Sequence, residues 1–284
     1  MKKIITLLFI LATLVLTACG NNPPPQNAPA NQAAGSANES HPAPHTITGA
    51  DGSQFLSAFE RYLNALDIIN AAKSLRIHTV MESIVKMDGQ AVEMEMISTI
   101  DQVINSPTDV NMRIEALTRI DNEEIPMSAY FRGTTLYLMG DTPGQGYKMQ
   151  LSLQDAIEMA NVDILIFNAN SIVDQVVFAT PYGTGLAFTL DSSMMVDVVN
   201  NMSEGLFYLL GGFFDGLNME IGDISAVIIL NESDEIKSIE VGMSIDVDTE
   251  GMTINMQSTT FTEISQLGST TINFPDYLHN FVEF

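Results

Sequence analysis

Residues 75–100 read LRIHTVMESIVKMDGQAVEMEMISTI, and hydropathy along them alternates at period two. Leu75, Ile77, Thr79, Met81, Ser83, Val85 and Met87 share one face of an extended chain, with Arg76, His78, Glu82 and Lys86 on the other. Successive side chains of a strand point to opposite sides, so this pattern gives one buried face and one wet face. Asp88-Gly89 is a strong tight-turn signal. The returning strand then sets Val92, Met94, Met96, Ser98 and Ile100 opposite Glu93, Glu95 and Asp101. The stretch predicts a long antiparallel hairpin, apolar on one side.

The same alternation extends downstream. After Ser106-Pro107-Thr108-Asp109, Val110, Met112, Ile114 and Ala116 face one way and Asn111, Arg113 and Glu115 the other. Residues 121–124 form the next turn, and short strands near 125–131, 134–139 and 146–151 continue the meander. Further strands are predicted at 184–190, 224–231, through Ile239, Val241, Met243, Ile245 and Val247, and from Met252 through Thr262. Helical spacing appears in three places. Phe55, Phe59, Leu63, Leu66 and Ile69 predict a helix over 53–73. Residues 153–179 predict two helices bending near Asn168-Ala169-Asn170, and a helix after Asp191-Ser192 carries Met195, Val198, Val199, Met202, Leu206 and Leu209. The expected fold is α+β: a large curved antiparallel sheet, a half-open barrel of about eleven strands, wrapped around three or four helices.

The N-terminus has a different character. Lys2 and Lys3 precede an apolar run from Ile4 to Leu16, followed by Leu16-Thr17-Ala18-Cys19. A basic start, a short apolar stretch and small residues at a cleavage point form a secretory signal over residues 1–18. The run is too short to span a bilayer core, which takes about 20 residues. Cys19, the only cysteine in the chain, stands where a bacterial lipobox places the thiol that receives a diacylglyceryl group. Two acyl chains give stable anchoring where one is marginal. From Gly20 to Asp51, prolines lie among Asn, Gln, Ala and Ser with almost no large apolar side chain, which reads as a tether. The domains are therefore a signal at 1–18, a lipidated tether at 19–52 and one folded body at 53–284.

Charge narrows the partners. The chain carries 35 Asp and Glu against 11 Lys and Arg, a formal charge of −24, and loss of Lys2 and Lys3 with the signal takes this to −26. Such a surface repels nucleic acid and anionic headgroups. Enzyme signatures are missing: the chain has no Gly-x-Ser-x-Gly elbow, no phosphate loop and no His-Glu-x-x-His. His78 and His279 are the only histidines of the body, and neither is marked as a base; His41 and His45 fall in the tether. Asp246 to Gly251 begins like a calcium loop, but position twelve is Gln257 in place of a bidentate Glu. Met94-x-Met96 is a soft-ligand pair lacking a neighbouring Cys or His, so copper is not called for. Glu93/Glu95 and Glu123/Glu124 are what any wet face of so acidic a chain presents. No metal and no cofactor is expected, and the chain reads as non-enzymatic.

The order of helix, strands, central helices and strands, with a lipobox ahead, resembles the LolA/LolB lipoprotein carriers and the mycobacterial LppX/LprG lipoproteins, and a group of Gram-positive lipoproteins of the same architecture. That resemblance implies an unclosed sheet around helices with an apolar cavity for acyl chains. The chain has seventeen methionines and no tryptophan, and methionine suits surfaces that adapt to varied apolar ligands. The candidate cavity lining is Met81, Val92, Met94, Met96, Met112, Ile114, Met195, Val199, Phe207, Met243, Ile245, Ile254 and Met256. The expected function is an extracytoplasmic, membrane-anchored lipoprotein that holds a lipid or acyl chain. The alternative is an envelope structural or interaction module whose same core is filled.

Overall fold

The computed structural model describes residues 47–48, 54–87, 90–106, 109–120, 123–139, 145–152, 167, 169–192, 218–222, 224–249 and 252–283. The short strands β1 (Ile47–Thr48) and β2 (Gln54–Phe55) pair with each other. Helix α1 runs Ala58–Ala71. It starts five residues later than the sequence spacing predicts, because Ser57 is the cap. The Ser57 hydroxyl accepts from the Glu60 amide while the Glu60 carboxylate accepts from the Ser57 amide, a reciprocal pair that satisfies two otherwise free donors.

Six strands then follow as a meander: β3 (Ser74–Met87), β4 (Gln90–Ser106), β5 (Asp109–Ile120), β6 (Glu123–Arg132), β7 (Thr135–Met139) and β8 (Gly146–Gln150). The second set is β9 (Ile172–Thr180), β10 (Gly183–Leu190), β11 (Asn218–Ile221), β12 (Ile224–Leu230), β13 (Ile236–Thr249), β14 (Met252–Ser265) and β15 (Val282–Glu283). All but β1 and β2 join one thirteen-stranded sheet in the order β15-β8-β7-β6-β5-β4-β3-β14-β13-β12-β10-β9, with β11 on β13. The two sets meet where β14 lies antiparallel to β3 along twelve register positions, Ile254 against Met87 through Ser265 against Arg76.

The expected architecture needs correction in its strand number, its pairing and its helices. The sheet has thirteen strands, and it is mixed, because β15 runs parallel to β8. It is open, with β15 and β9 ending the order without pairing to each other. Among the described residues α1 is the one α-helix, so three or four helices wrapped by sheet is not what forms. Part of the predicted helical region at 153–179 is β9. Ile172, Val173, Val176, Val177 and Phe178 are β-branched or aromatic, and Pro181-Tyr182-Gly183 turns them straight back onto β10. Such side chains lose rotamer freedom in a helix and pack well on a pleated surface. Gly183, at φ +138°, is fixed in that turn, since a Cβ there would lie 2.2 Å from the Leu230 carbonyl oxygen. Residues 153–166 and 193–217, with the predicted helix after Ser192, lie outside the described residues.

One face of the sheet is inner. Near α1, Tyr62, Ala65, Leu66 and Ile69 pack on Leu75, Ile77, Leu186, Phe188, Ile228 and Ile239. Tyr62 stacks on Phe167 with ring centres 4.7 Å apart and planes 1° from parallel. A second inner cluster comprises Val110, Met112, Ala129, Phe131 and Leu136. The opposite face is largely polar. There Asp101, buried, accepts from Arg76 Nε at 2.6 Å and Nη2 at 3.0 Å, a bidentate pair between facing positions of β3 and β4. The C-terminal segment covers part of this outer face, where Leu278 and Phe281 pack on Tyr130.

Candidate functional site

The register aligns inner-face side chains in rows that cross the sheet. One row runs Ala116, Ser98, Thr79, Thr262. The next runs Ile125, Thr118, Met96, Met81, Thr260, Val241. A third runs Ile120, Met94, Ser83, Ser258, Met243, and a fourth Val92, Val85, Met256, Ile245. Facing side chains in such rows have Cβ atoms about 5 Å apart and form one surface.

That surface gathers most of the predicted lining. Met81, Met94, Ile245, Ile254 and Met256 form a buried cluster with Val85 and Ile120, and Val92, Met96 and Met243 pack against it. No residue of α1 belongs to this cluster. Met112 and Ile114 lie apart, in the neighbouring cluster around Phe131. Met195, Val199, Phe207 and the lipobox cysteine Cys19 lie outside the described residues.

Two features of the surface were not singled out from the sequence. The first is a lip. Ile125 (43% exposed), Met127 (52%), Leu138 (40%) and Tyr147 (53%) occupy inner-face positions of β6, β7 and β8 yet stand in solvent. The apolar face therefore passes from open at β6–β8 to closed at Met81, which is 0% exposed. Met127 and Ile125 were legible as alternate residues of a short strand, but nothing in the sequence says that this strand's inner side is uncovered.

The second feature is a belt of hydroxyls across the middle of the apolar face: Ser98, Thr79, Thr262, Thr118, Thr260, Ser83 and Ser258. Two pairs are internally satisfied. Thr79 and Thr262 hydroxyls meet at 3.2 Å, and Ser83 donates to Ser258 at 2.9 Å. Thr260 lies between these pairs, 6% exposed, and its hydroxyl oxygen has no hydrogen-bond partner among the described residues. The signal for it was the run Ser258-Thr259-Thr260-Phe261-Thr262, whose alternate members all point inward.

The outer face holds a groove of about 800 Å³ above β3, β4, β13 and β14, with Glu82, Glu93, Glu95, Arg119, Ser244 and Gln257 in its wall. Arg119 donates to Glu95 at 2.6 Å and Glu124 at 3.0 Å, and these bonds hold its guanidinium above the ordinary arginine pKa. Among the described residues no three His, Cys, Asp or Glu side chains converge as a metal site. His78 meets the Thr99 hydroxyl at 3.1 Å, and His279 the Asp276 carbonyl. Asp246 sits within β13 and accepts from Asn255 at 2.6 Å, a cross-strand pair in place of a calcium loop. No described helix is long and apolar enough to cross a membrane.

No protein-family model matches the chain, and no curated protein does. Among solved structures it is similar to LprF from Mycobacterium bovis, at 7% identity over 78% of this chain and 96% of that one, with a TM-score of 0.41. A DUF1329 family protein from Desulfovibrio piger aligns at 11% identity over 78% and 95%, TM-score 0.24. The ywiB protein from Bacillus subtilis aligns at 11% over 68% and 95%, TM-score 0.19. At these scores the alignments do not establish a common fold.

Proposed function

We propose that the chain is an extracytoplasmic lipoprotein, held at a membrane by acylated Cys19, whose inner sheet face binds the acyl part of a lipid. The observation that carries this reading is the gradient of exposure along the inner face. Apolar side chains stand open at the lip, at Ile125 and Met127, and are buried at Met81, Met94 and Met256, with Thr118 and the other hydroxyls of the belt set between them. An apolar patch left open to water on one side of a core is unfavourable unless something covers it, and patches of this kind mark binding sites. Methionine side chains adapt their shape to what they hold. Binding is desolvation: each buried methylene contributes about 0.8 kcal/mol, so a long chain suffices without any reaction chemistry.

Full burial of Met81 favours a second reading, an envelope interaction module with a filled core. One experiment separates the two. The chain expressed from Gly20 onward keeps every described element, and organic extraction of the purified protein followed by mass spectrometry reports what it carries. Stoichiometric lipid is expected. Lipid-free protein whose thermal midpoint does not rise on addition of fatty acid defeats the proposal and leaves the filled module.

A further inference from the structure

Thr260 is out of keeping with its surroundings. Its cross-strand neighbours on the inner face are Met81 and Val241, both buried and apolar. Its nearest polar neighbours along the sheet are already paired with each other, Thr79 with Thr262 on one side and Ser83 with Ser258 on the other. A buried hydroxyl without a partner costs stability, and valine would fill the same space without that cost. Uncompensated polar groups in a core call for an explanation, and a ligand that supplies the missing partner is one.

Position supplies the rest. Thr260 lies deep on the row that begins at the lip, Ile125, Thr118, Met96, Met81, Thr260, with Val241 beyond it. Exposure falls along that row, from 43% at Ile125 through half-buried Thr118 and Met96 to 0% at Met81 and 6% at Thr260. Four inter-strand steps separate Ile125 from Thr260, roughly 19 Å, a distance on the scale of a long acyl chain. A molecule drawn in from the lip along this row passes Ile125, the half-buried Thr118, Met96 and Met81 before it reaches the buried hydroxyl of Thr260.

We propose that Thr260 is the polar receptor of the binding face, donating its hydroxyl hydrogen to the carbonyl oxygen of an acyl ligand. The proposal rests on the apolar-ligand reading above and narrows it: the preferred ligands are esters and acids, and plain hydrocarbons of equal length bind less well. The hydroxyl is the donor because a carbonyl can only accept, and no acceptor among the described residues holds that hydrogen. Discrimination of this kind arises because a site built to pair with an oxygen is left unpaired by the analogue lacking it.

The test compares methyl palmitate with hexadecane. Each is delivered from cyclodextrin to the chain expressed from Gly20, and bound ligand is quantified by gas chromatography after gel filtration. The unaltered chain is expected to bind methyl palmitate about five- to tenfold more tightly. Thr260→Val should lose that preference by weakening methyl palmitate alone, and Thr260→Ser should keep it. Thr260→Ala, assayed alongside, secures the comparison should the valine variant not fold. Undiminished preference in both Thr260→Val and Thr260→Ala overturns the proposal. So does equal binding of both ligands by the unaltered chain, which leaves the apolar-ligand reading standing. Failure of the unaltered chain to bind either ligand defeats that reading, and the proposal with it.

Discussion

A residue's cost to the empty protein is a measurable counterpart of its use to a filled one. Thr260 carries a desolvated hydroxyl that no group among the described residues repays. Replacement by valine removes the polar atom while keeping the branched shape. Thr260→Val is therefore expected to stabilise ligand-free protein by about 1 kcal/mol, at the low end of the penalty for an unsatisfied buried group. Urea unfolding of delipidated protein measures it, and a midpoint at or below the unaltered chain's would show that the hydroxyl is satisfied after all. Thr260 and Asp101 also show where residue-scale reading stops. Alternation places Asp101 on the wet face, yet the facing Arg76 grips it in a bidentate bond and buries it. Side of the strand is legible in a sequence. Degree of burial depends on what crosses from the next strand.

Elements divide by whether their hydrogen bonds are local. Helix α1 could be predicted because its periodicity and its cap lie within a few residues, although the cap settled on Ser57 and shifted the start. Ser57→Ala removes the hydroxyl that accepts from the Glu60 amide and leaves the amide of residue 57 bonded to the Glu60 carboxylate. It should lower stability by about 1 kcal/mol, read by thermal unfolding followed at a helix-sensitive wavelength. Loss of less than a few tenths would mean that the remaining Glu60 bond and the Gln175 side-chain carbonyl, which accepts from the Phe59 amide at 3.0 Å, hold the helix start by themselves. The hairpin at 75–100 was equally legible, with a turn dipeptide between two alternating runs. Strand β9 was not, because Ile172, Val173 and Val176 satisfy helical spacing as readily as a strand and only pairing with β10 decides. The C-terminal segment gives a pH-dependent test. Burial pushes the Tyr130 hydroxyl above the ordinary tyrosine pKa of 10.0, although Arg113 nearby opposes it. A group whose pKa is raised on folding contributes its stability in full below the unfolded value and loses it as pH climbs through the folded value. Stability from Tyr130 should therefore be intact at pH 8 and fall above pH 10. Tyr130→Phe should lose less of its urea midpoint between pH 8 and pH 11 than the unaltered chain, and equal losses would show that the phenol titrates freely.

At the scale of the whole molecule, the sheet sorts its two faces by role. The outer face carries the ion pairs and most of the charge, while the inner face carries methionine, isoleucine and a belt of hydroxyls. This division was readable from alternation alone. Its asymmetry was not, because coverage of the inner face depends on which elements pack over it, and periodicity within a strand is silent on that. The lip is the consequence that matters most. If ligands enter there, a charge at the lip should slow entry without disturbing the core, since a 52% exposed side chain contributes little to packing. Met127→Glu is expected to reduce the rate of methyl palmitate uptake from vesicles several-fold, because the chain must pass a hydrated carboxylate. Its thermal midpoint should stay within about 0.5 kcal/mol equivalent of the unaltered protein. Met127→Leu controls for loss of the thioether and should take up ligand at the original rate. Uptake unaffected by the glutamate would place the entrance elsewhere on the inner face. Loss of uptake in both variants would instead mark methionine itself, through its flexibility, as the requirement at that position.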